Sequence, residues 1–256
     1  MRILTTILLF FILAGCSFFG DKEDETVNWS ADRLYAEARG ALDSGNYNDA
    51  VDFYQKLEAR FPFGKHAQQS LLDLAYAHYR NDEPDAAIAA CDRFIKLYPQ
   101  NRFVDYAYYL KGLANFNRGK GLAQRLIPRD QAQRDPGSAL RSFQDFSELV
   151  KRFPDSQYRS DSEQRMRYLR NQLAQNEVYV ATYYMRRGAF IAAVNRARYV
   201  IENYQRTPSV PDALVIMAKG YRILEMEDLA SDALRVLEKN YPNHPGIYEI
   251  RQLSVN

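Results

Sequence analysis

The chain has 256 residues, of which 46% are hydrophobic and 26% charged, so it has enough apolar material for a folded core and lacks the composition of a disordered chain. Its 34 Lys and Arg residues nearly balance 32 Asp and Glu, which argues against the basic surface that nucleic-acid-binding proteins present to phosphates. Tyr and Phe, at 19 and 14 residues, outnumber 12 Gly and 10 Pro, which favours long regular elements over a loop-rich fold.

The first 16 residues have the pattern of a bacterial lipoprotein signal. Arg2 precedes a mostly apolar run over residues 3–13, which is too short to span a bilayer, since a spanning helix needs about 20 residues. The segment ends in LAGC, with Cys16 last, and these letters resemble the lipobox of such signals. We predict a signal peptide over residues 1–15 and lipidation of Cys16. The alternative is cleavage elsewhere, with Cys16 an incidental thiol.

Residues 16–29 are predicted to form the lipidated N-terminus and a flexible, acidic tether. The lipobox resemblance implies export to the outer membrane, because residue 17 is Ser rather than the Asp that retains such proteins at the inner membrane. Once Cys16 is acylated, Cys91 has no partner for a disulfide within the chain. The apolar neighbours of Cys91 predict a buried thiol.

Five segments of the body share one spacing. A small residue is followed by apolar or small residues at +4 and +7 and an aromatic residue at +11, with Pro at +12 in four of the five. This spacing places the side chains on one face of a helix that ends near the proline. In four copies a second small residue lies 12 positions earlier, in a preceding helix. The pattern resembles the tetratricopeptide repeat and predicts an all-α solenoid of five helix pairs. The small residues that begin the pattern are Ala50, Ala87, Ser142, Ala193 and Ala230.

Two of the copies are longer than the others. In the third, Ser142 follows Gly112 by 30 residues instead of 12, which predicts an insertion loop over residues 119–136. In the fourth, Ala181 follows Pro154 by 27 residues instead of 13. The extra 14 residues are close to four turns at about 3.6 residues per turn, and residues 160–187 contain no Gly or Pro, so we predict one long first helix.

These features divide the chain into five parts. They are the signal peptide over 1–15, the tether over 16–29, repeats 1–3 over 30–155, repeats 4 and 5 over 156–243, and a C-terminal tail over 244–256. None of them carries the spacing of a catalytic or metal site: the three histidines are scattered, and there is no HExxH, phosphate loop or paired Cys. We predict no enzyme activity, metal or cofactor, and interpret His78 as a structural side chain.

The tetratricopeptide resemblance assigns one face of each first helix to a concave groove. Counted from the small residue of that helix, positions −6, −3, +1, +4 and +5 share this face. In repeats 1–3 the face is aromatic and carries two guanidinium groups, and both residue types anchor peptide recognition. We favour Arg80 over Arg39 as the residue that binds the C-terminal carboxylate of a peptide in this groove. The alternative for each tyrosine is packing between neighbouring repeats. The groove candidates are Tyr35, Arg39, Tyr76, Tyr79, Arg80, Tyr106 and Tyr109.

The chain also closely resembles the BamD family, the lipoproteins of the outer-membrane β-barrel assembly machinery. The resemblance is carried by RFPFGKHAQQ (60–69), DRFIKLYP (92–99), RDPGSALRSFQDFSELVKRFPDSQY (134–158) and RRGAFIAAVNRARYVIENY (186–204). It implies a lipid-anchored, non-catalytic scaffold on the periplasmic face of the outer membrane. The N-terminal repeats are then expected to bind unfolded outer-membrane proteins, and the C-terminal repeats a POTRA domain of a BamA-like barrel subunit.

The same resemblance places Asn195 and Arg196 at the POTRA contact and implies accessory Bam lipoproteins as further partners. Gln205 in place of Pro and the 119–136 loop depart from the family pattern, so the contacts with those lipoproteins stay open. A lipidated tetratricopeptide scaffold for pilus assembly or cell-wall synthesis is the alternative, and an envelope enzyme is a third reading. Such a scaffold would share the lipobox and the repeats, but not the quoted stretches.

Overall fold

The computed structural model describes residues 24–118 and 136–253, and within these ranges it contains eleven α-helices and no strand. The predicted all-α class is therefore confirmed. Cys16, the signal peptide and residues 119–135 of the predicted insertion loop lie outside the described residues. The helices are α1 (Ala31–Asp43), α2 (Tyr47–Arg60), α3 (Ala67–Arg80), α4 (Pro84–Leu97), α5 (Val104–Asn117), α6 (Gly137–Arg152), α7 (Arg159–Arg186), α8 (Phe190–Asn203), α9 (Val210–Ile223), α10 (Glu227–Asn240) and α11 (Gly246–Gln252).

Each of the first ten helices packs against the next one along the chain, which builds a solenoid of five helix pairs. The pairs are α1 with α2, α3 with α4, α5 with α6, α7 with α8, and α9 with α10. Helix α11 lies in the segment assigned to the C-terminal tail and was not predicted. It packs on α9 and α10, and its Ile250 is 2% exposed.

The helices of a pair approach closely because small residues lie where they cross. Ala38, Ala75, Ala181 and Ala218 in the first helices are each 0% exposed, as the repeat pattern predicts. Gly112 takes this position in α5. A Cβ atom there would lie 2.6 Å from the ring of Phe146 in α6, closer than real Cβ contacts, so this crossing admits only glycine.

Helix α7 is the long first helix predicted for the fourth repeat, and it has 28 residues. Its buried positions include Leu169, Leu173 and Ala181, so its inner face stays in phase over several turns. In the third repeat, α5 ends at Asn117 and α6 begins at Gly137, directly after Pro136. The two helices still pack on each other across this interval.

Residues 24–29, which the sequence places in the flexible tether, are held against α2. Asp24 forms ion pairs with Lys56 at 3.1 Å and with Arg60 at 2.6 Å, and hydrogen bonds from Thr26 and Lys56 lower the pKa of Asp24. Trp29 stacks on Phe53 with ring centroids 5.7 Å apart. These six residues are therefore docked on the first repeat instead of forming free tether.

Cys91 and His78, whose side chains could act as a nucleophile or a metal ligand, are buried structural residues, as predicted. Cys91 is 0% exposed, and burial raises the pKa of its thiol. Nδ1 of His78 lies 2.5 Å from the Glu83 carboxylate, and His78 itself is buried. Both side chains are thus buried in the second repeat, and Glu83 of the same repeat is the partner of His78.

Candidate peptide-binding site

An open cavity of about 660 Å³ lies among the first three repeats. Helix α3 forms the floor of the cavity. Its lining residues are 69, 72, 73, 76 and 80, and their spacing of mostly three or four places them on one face of the helix. The α1–α2 corner closes one side, and α5 with the start of α7 closes the other. The lining residues are Arg39, Leu42, Asp43, Ser44, Gly45, Tyr47, Gln69, Leu72, Asp73, Tyr76, Arg80, Phe103, Tyr106 and Tyr158.

Four of the seven predicted groove residues meet at this cavity: Arg39, Tyr76, Arg80 and Tyr106. Burial raises the pKa of Tyr106, so its phenol is neutral at physiological pH. The phenol rings offer apolar faces and a polar tip, a combination suited to an aromatic side chain of a bound peptide. The structure thus brings together groove residues from three different repeats.

The other three predicted groove residues contact neighbouring repeats and are not among the residues that line this cavity, so their place in the groove stays a prediction. The ring of Tyr35 stacks on His66 with centroids 4.2 Å apart. The Tyr79 hydroxyl accepts a hydrogen bond of 2.7 Å from the Asn117 amide. Tyr109 stacks on Tyr158 at 4.6 Å. These contacts agree with the alternative of packing between neighbouring repeats.

The two predicted guanidinium groups differ in their partners. Arg39 lies 3.3 Å from the Asp43 carboxylate and 3.5 Å from that of Asp73, so its charge is already matched. Arg80 donates a hydrogen bond of 2.7 Å to the Tyr76 hydroxyl and lies 4.8 Å from the centroid of the Tyr47 ring. Within residues 24–118 and 136–253, Arg80 forms no ion pair with a carboxylate. Arg80 is therefore the cavity's guanidinium with capacity for an anionic ligand.

Asp73, on the floor of the cavity, was missed by the sequence analysis. Its carboxylate accepts hydrogen bonds from Gln69 at 2.8 Å, Tyr54 at 3.2 Å and Tyr35 at 3.3 Å. The residue is 7% exposed, and burial raises its pKa. The sequence feature that could have identified Asp73 is that it is the one acidic residue in the apolar stretch LLDLAY, two residues before Ala75. Tyr158 was also missed, because it lies in the connection before α7 and outside the repeat pattern.

The predicted POTRA-contact residues lie on the exposed side of α8. Val194, Ala197 and Val200 are buried, while Asn195 and Arg196 are exposed. Arg196 donates to the Glu177 carboxylate on α7 at 3.1 Å, an intramolecular partner that the sequence analysis did not predict. The amide oxygen of Asn195 accepts a hydrogen bond of 2.7 Å from Arg198.

In the described part of the chain, no helix is both long enough and apolar enough to cross a membrane. In the same residues, no cluster of three or more His, Cys, Asp or Glu side chains is placed to hold a metal ion.

Residues 28–237 match the model of one protein family, YfiO, described as an outer membrane lipoprotein. The chain belongs to this family. The outer membrane protein assembly factor BamD of Neisseria meningitidis serogroup B is 47% identical over 247 residues, which cover 95% of this chain and 92% of the relative. The BamD proteins of Xylella fastidiosa and Vibrio cholerae are 33% and 32% identical and cover 96% and 93% of this chain, with 84% and 97% of their own lengths covered.

Solved structures with a similar helical arrangement are more distant. The MamA protein matches with a TM-score of 0.36 and 14% identity, covering 88% of this chain and 97% of its own. A tetratricopeptide repeat protein from Parabacteroides merdae matches with a TM-score of 0.31 and 14% identity, covering 88% of this chain and 99% of its own.

Proposed function

We propose that the protein is a lipid-anchored, non-catalytic scaffold for assembling β-barrel proteins in the outer membrane. The relatives named above are outer membrane protein assembly factors, which supports this role. In the proposal, the N-terminal repeats bind the C-terminal end of an unfolded barrel protein. The C-terminal repeats dock a POTRA domain of a BamA-like barrel subunit, and lipidated Cys16 holds the chain at the periplasmic face of the membrane.

The observation that supports client binding best is the Arg80 guanidinium, which lies in an aromatic cavity and has no carboxylate partner among the described residues. A carboxylate that leaves water is unfavourable unless charged or polar donors replace its hydration. Arg80 offers such donors, and Tyr76 and Tyr106 offer ring faces beside them. An extended peptide that ends in an aromatic residue and a free carboxylate has the chemistry that this cavity complements.

The test is a titration of a peptide with the sequence of a barrel protein's C-terminal end, prepared as the free acid and as the amide. The wild-type protein should prefer the acid. Arg80→Ala should weaken binding of the acid by about tenfold or more, since a hydrogen bond to a charged group contributes roughly 1.5 to 3 kcal/mol. It should change the amide little, and Arg141→Ala on the exposed face of α6 is the matched control. Equal losses for acid and amide would show that Arg80 does not bind the carboxylate.

The docking part of the proposal rests on the exposed Asn195 and Arg196 of α8. Arg196 reaches the surface with 49% of its side chain exposed, while its partner Glu177 is 15% exposed. An incoming carboxylate would share or replace Glu177 as the partner of the guanidinium. The POTRA titration described in the Discussion tests this contact separately from peptide binding in the 660 Å³ cavity.

A further inference from the structure

A second cavity of about 450 Å³ adjoins the first one. Gln69, Leu72 and Phe103 line both cavities, so the two spaces meet at these three side chains. The remaining lining residues of the second cavity come from the α2–α3 connection, the start of α3, α4 and the α4–α5 connection. They are Gly64, Lys65, Gln68, Phe94, Asn101 and Arg102.

Helix α3 runs along both cavities and provides a measure of their combined length. Gln68 lines the second cavity near the start of α3, and Arg80 lines the first cavity at its end. They are 12 residues apart, which corresponds to about 18 Å at 1.5 Å per residue. An extended chain advances about 3.3 Å per residue, so five to six peptide residues span the same distance.

The second cavity also contains a guanidinium without a carboxylate partner. Arg102 lies over the Phe103 ring, 4.4 Å from its centroid, and Phe103 is part of the boundary between the cavities. In the described ranges Arg102 forms no ion pair, whereas the neighbouring Lys65 is paired with Asp32 at 2.7 Å. Arg80 and Arg102 thus place in each cavity one positive charge that has no carboxylate partner in the part of the chain that the structure describes.

The two cavities differ in chemistry, which suggests the direction of a bound chain. Tyr76, Tyr106 and Tyr158 line the first cavity, which therefore suits an aromatic residue. The second cavity is lined mainly by amide and cationic side chains, among them the hydrogen-bonded pair of Gln68 and Asn101 at 2.7 Å. Such a lining suits a polar or acidic residue further from the peptide's end.

We propose that the two cavities form one continuous peptide track along α3, with Arg102 as a second anion-binding residue. The ligand is an extended peptide whose C-terminal carboxylate binds Arg80 and whose acidic side chain, five or six residues before the end, binds Arg102. This inference rests on the proposed function, since it extends the binding of a client's C-terminal end from one cavity to two.

The test uses the full-length protein and four peptides. The reference peptide has eight residues, an aromatic C-terminal residue and Glu at the sixth position from the end. The others replace that Glu with Gln, keep only the last four residues, or carry a C-terminal amide. Arg102→Ala should weaken binding of the Glu peptide by about two- to fivefold, the range of an exposed ion pair. It should leave the Gln and four-residue peptides unchanged, and Arg102→Lys should restore part of the loss.

The outcomes separate this inference from the function on which it rests. If Arg102→Ala affects all peptides equally or none of them, with helix content unchanged by circular dichroism, the second cavity is not part of the track. The preference for acid over amide would then still stand on Arg80. If the wild-type protein shows no preference for acid over amide, the proposed role of Arg80 fails, while an Arg102 effect specific to the Glu peptide would still support the second subsite.

Discussion

The carboxylate of Asp73 on α3 accepts a hydrogen bond of 3.2 Å from the hydroxyl of Tyr54 on α2. This contact joins the first repeat to the second beneath the 660 Å³ cavity, and Tyr54 is 0% exposed. Tyr54 is a repeat-pattern residue at the +4 position, whereas Asp73 belongs to no pattern. The hydrogen bond therefore connects a core residue of the repeat pattern, Tyr54, to a residue on the floor of the cavity, Asp73.

We predict that Asp73 makes the stability of the protein depend on pH. Burial raises the pKa of Asp73 in the folded state, so the folded chain binds a proton there more readily than the unfolded chain. In the unfolded chain the pKa of this carboxyl is about 4. The stability that Asp73 contributes is then fully present below that unfolded value and is lost as the pH rises through the folded pKa. The melting temperature of the wild type minus that of Asp73→Asn should fall between pH 4 and pH 7.

Circular dichroism melts at several pH values over this range provide the measurement. Tyr54→Phe is the matched variant, since it removes one donor and keeps the carboxylate, so it should retain the pH dependence that Asp73→Asn loses. A constant difference in melting temperature between the wild type and Asp73→Asn would contradict the prediction.

A second prediction concerns the crossing of α3 and α4. Ala75 is 0% exposed and packs in the core with Cys91 and Phe94, so Ala75→Leu should overpack this crossing and lower the free energy of unfolding by about 1 to 3 kcal/mol. Ala89→Leu, at an exposed position of α4, should change it little. Urea denaturation of both variants measures the difference, and equal midpoints would rule out the close packing inferred at Ala75.

A third prediction concerns the proposed POTRA contact. Arg196→Ala should weaken binding of a purified POTRA domain by about 2 to 5 kcal/mol if the guanidinium pairs with a POTRA carboxylate that is desolvated in the complex. Glu177→Gln removes the intramolecular competitor at 3.1 Å and should strengthen the same binding. Arg167→Ala, on the exposed side of α7, is the control. Unchanged affinity for Arg196→Ala, with helix content preserved, would remove this residue from the interface.

A fourth prediction concerns the membrane anchor. Cys16→Ala removes the only residue of the lipobox that can be acylated, and several acyl chains together are needed for stable attachment. The variant should appear in the soluble periplasmic fraction or as an unprocessed precursor. Fractionation with the outer membrane, unchanged from the wild type, would show that Cys16 is not the anchor.

The amino-acid sequence by itself determined the all-α class, the five helix pairs, the long α7 and the burial of Cys91 and His78. These features follow from spacing along one helix, where positions four and seven residues apart share a face whatever the rest of the chain does. The small residues at the crossings were visible for the same reason, since close approach of two helices at a repeated position requires a small side chain in every copy.

Only the tertiary structure decided which groove residues face the cavity. Tyr79 meets Asn117, Tyr109 meets Tyr158, and Arg39 meets Asp73, each across a boundary between repeats and at least 34 residues away along the chain. Helical periodicity identifies a face but not the angle at which one repeat stacks on the next, and that angle determines whether a side chain on the face is covered. The contact of Arg80 with the Tyr47 ring and the second cavity depend on such contacts between repeats, and the pairing of Arg196 with Glu177 depends on the packing of the two helices of the fourth repeat.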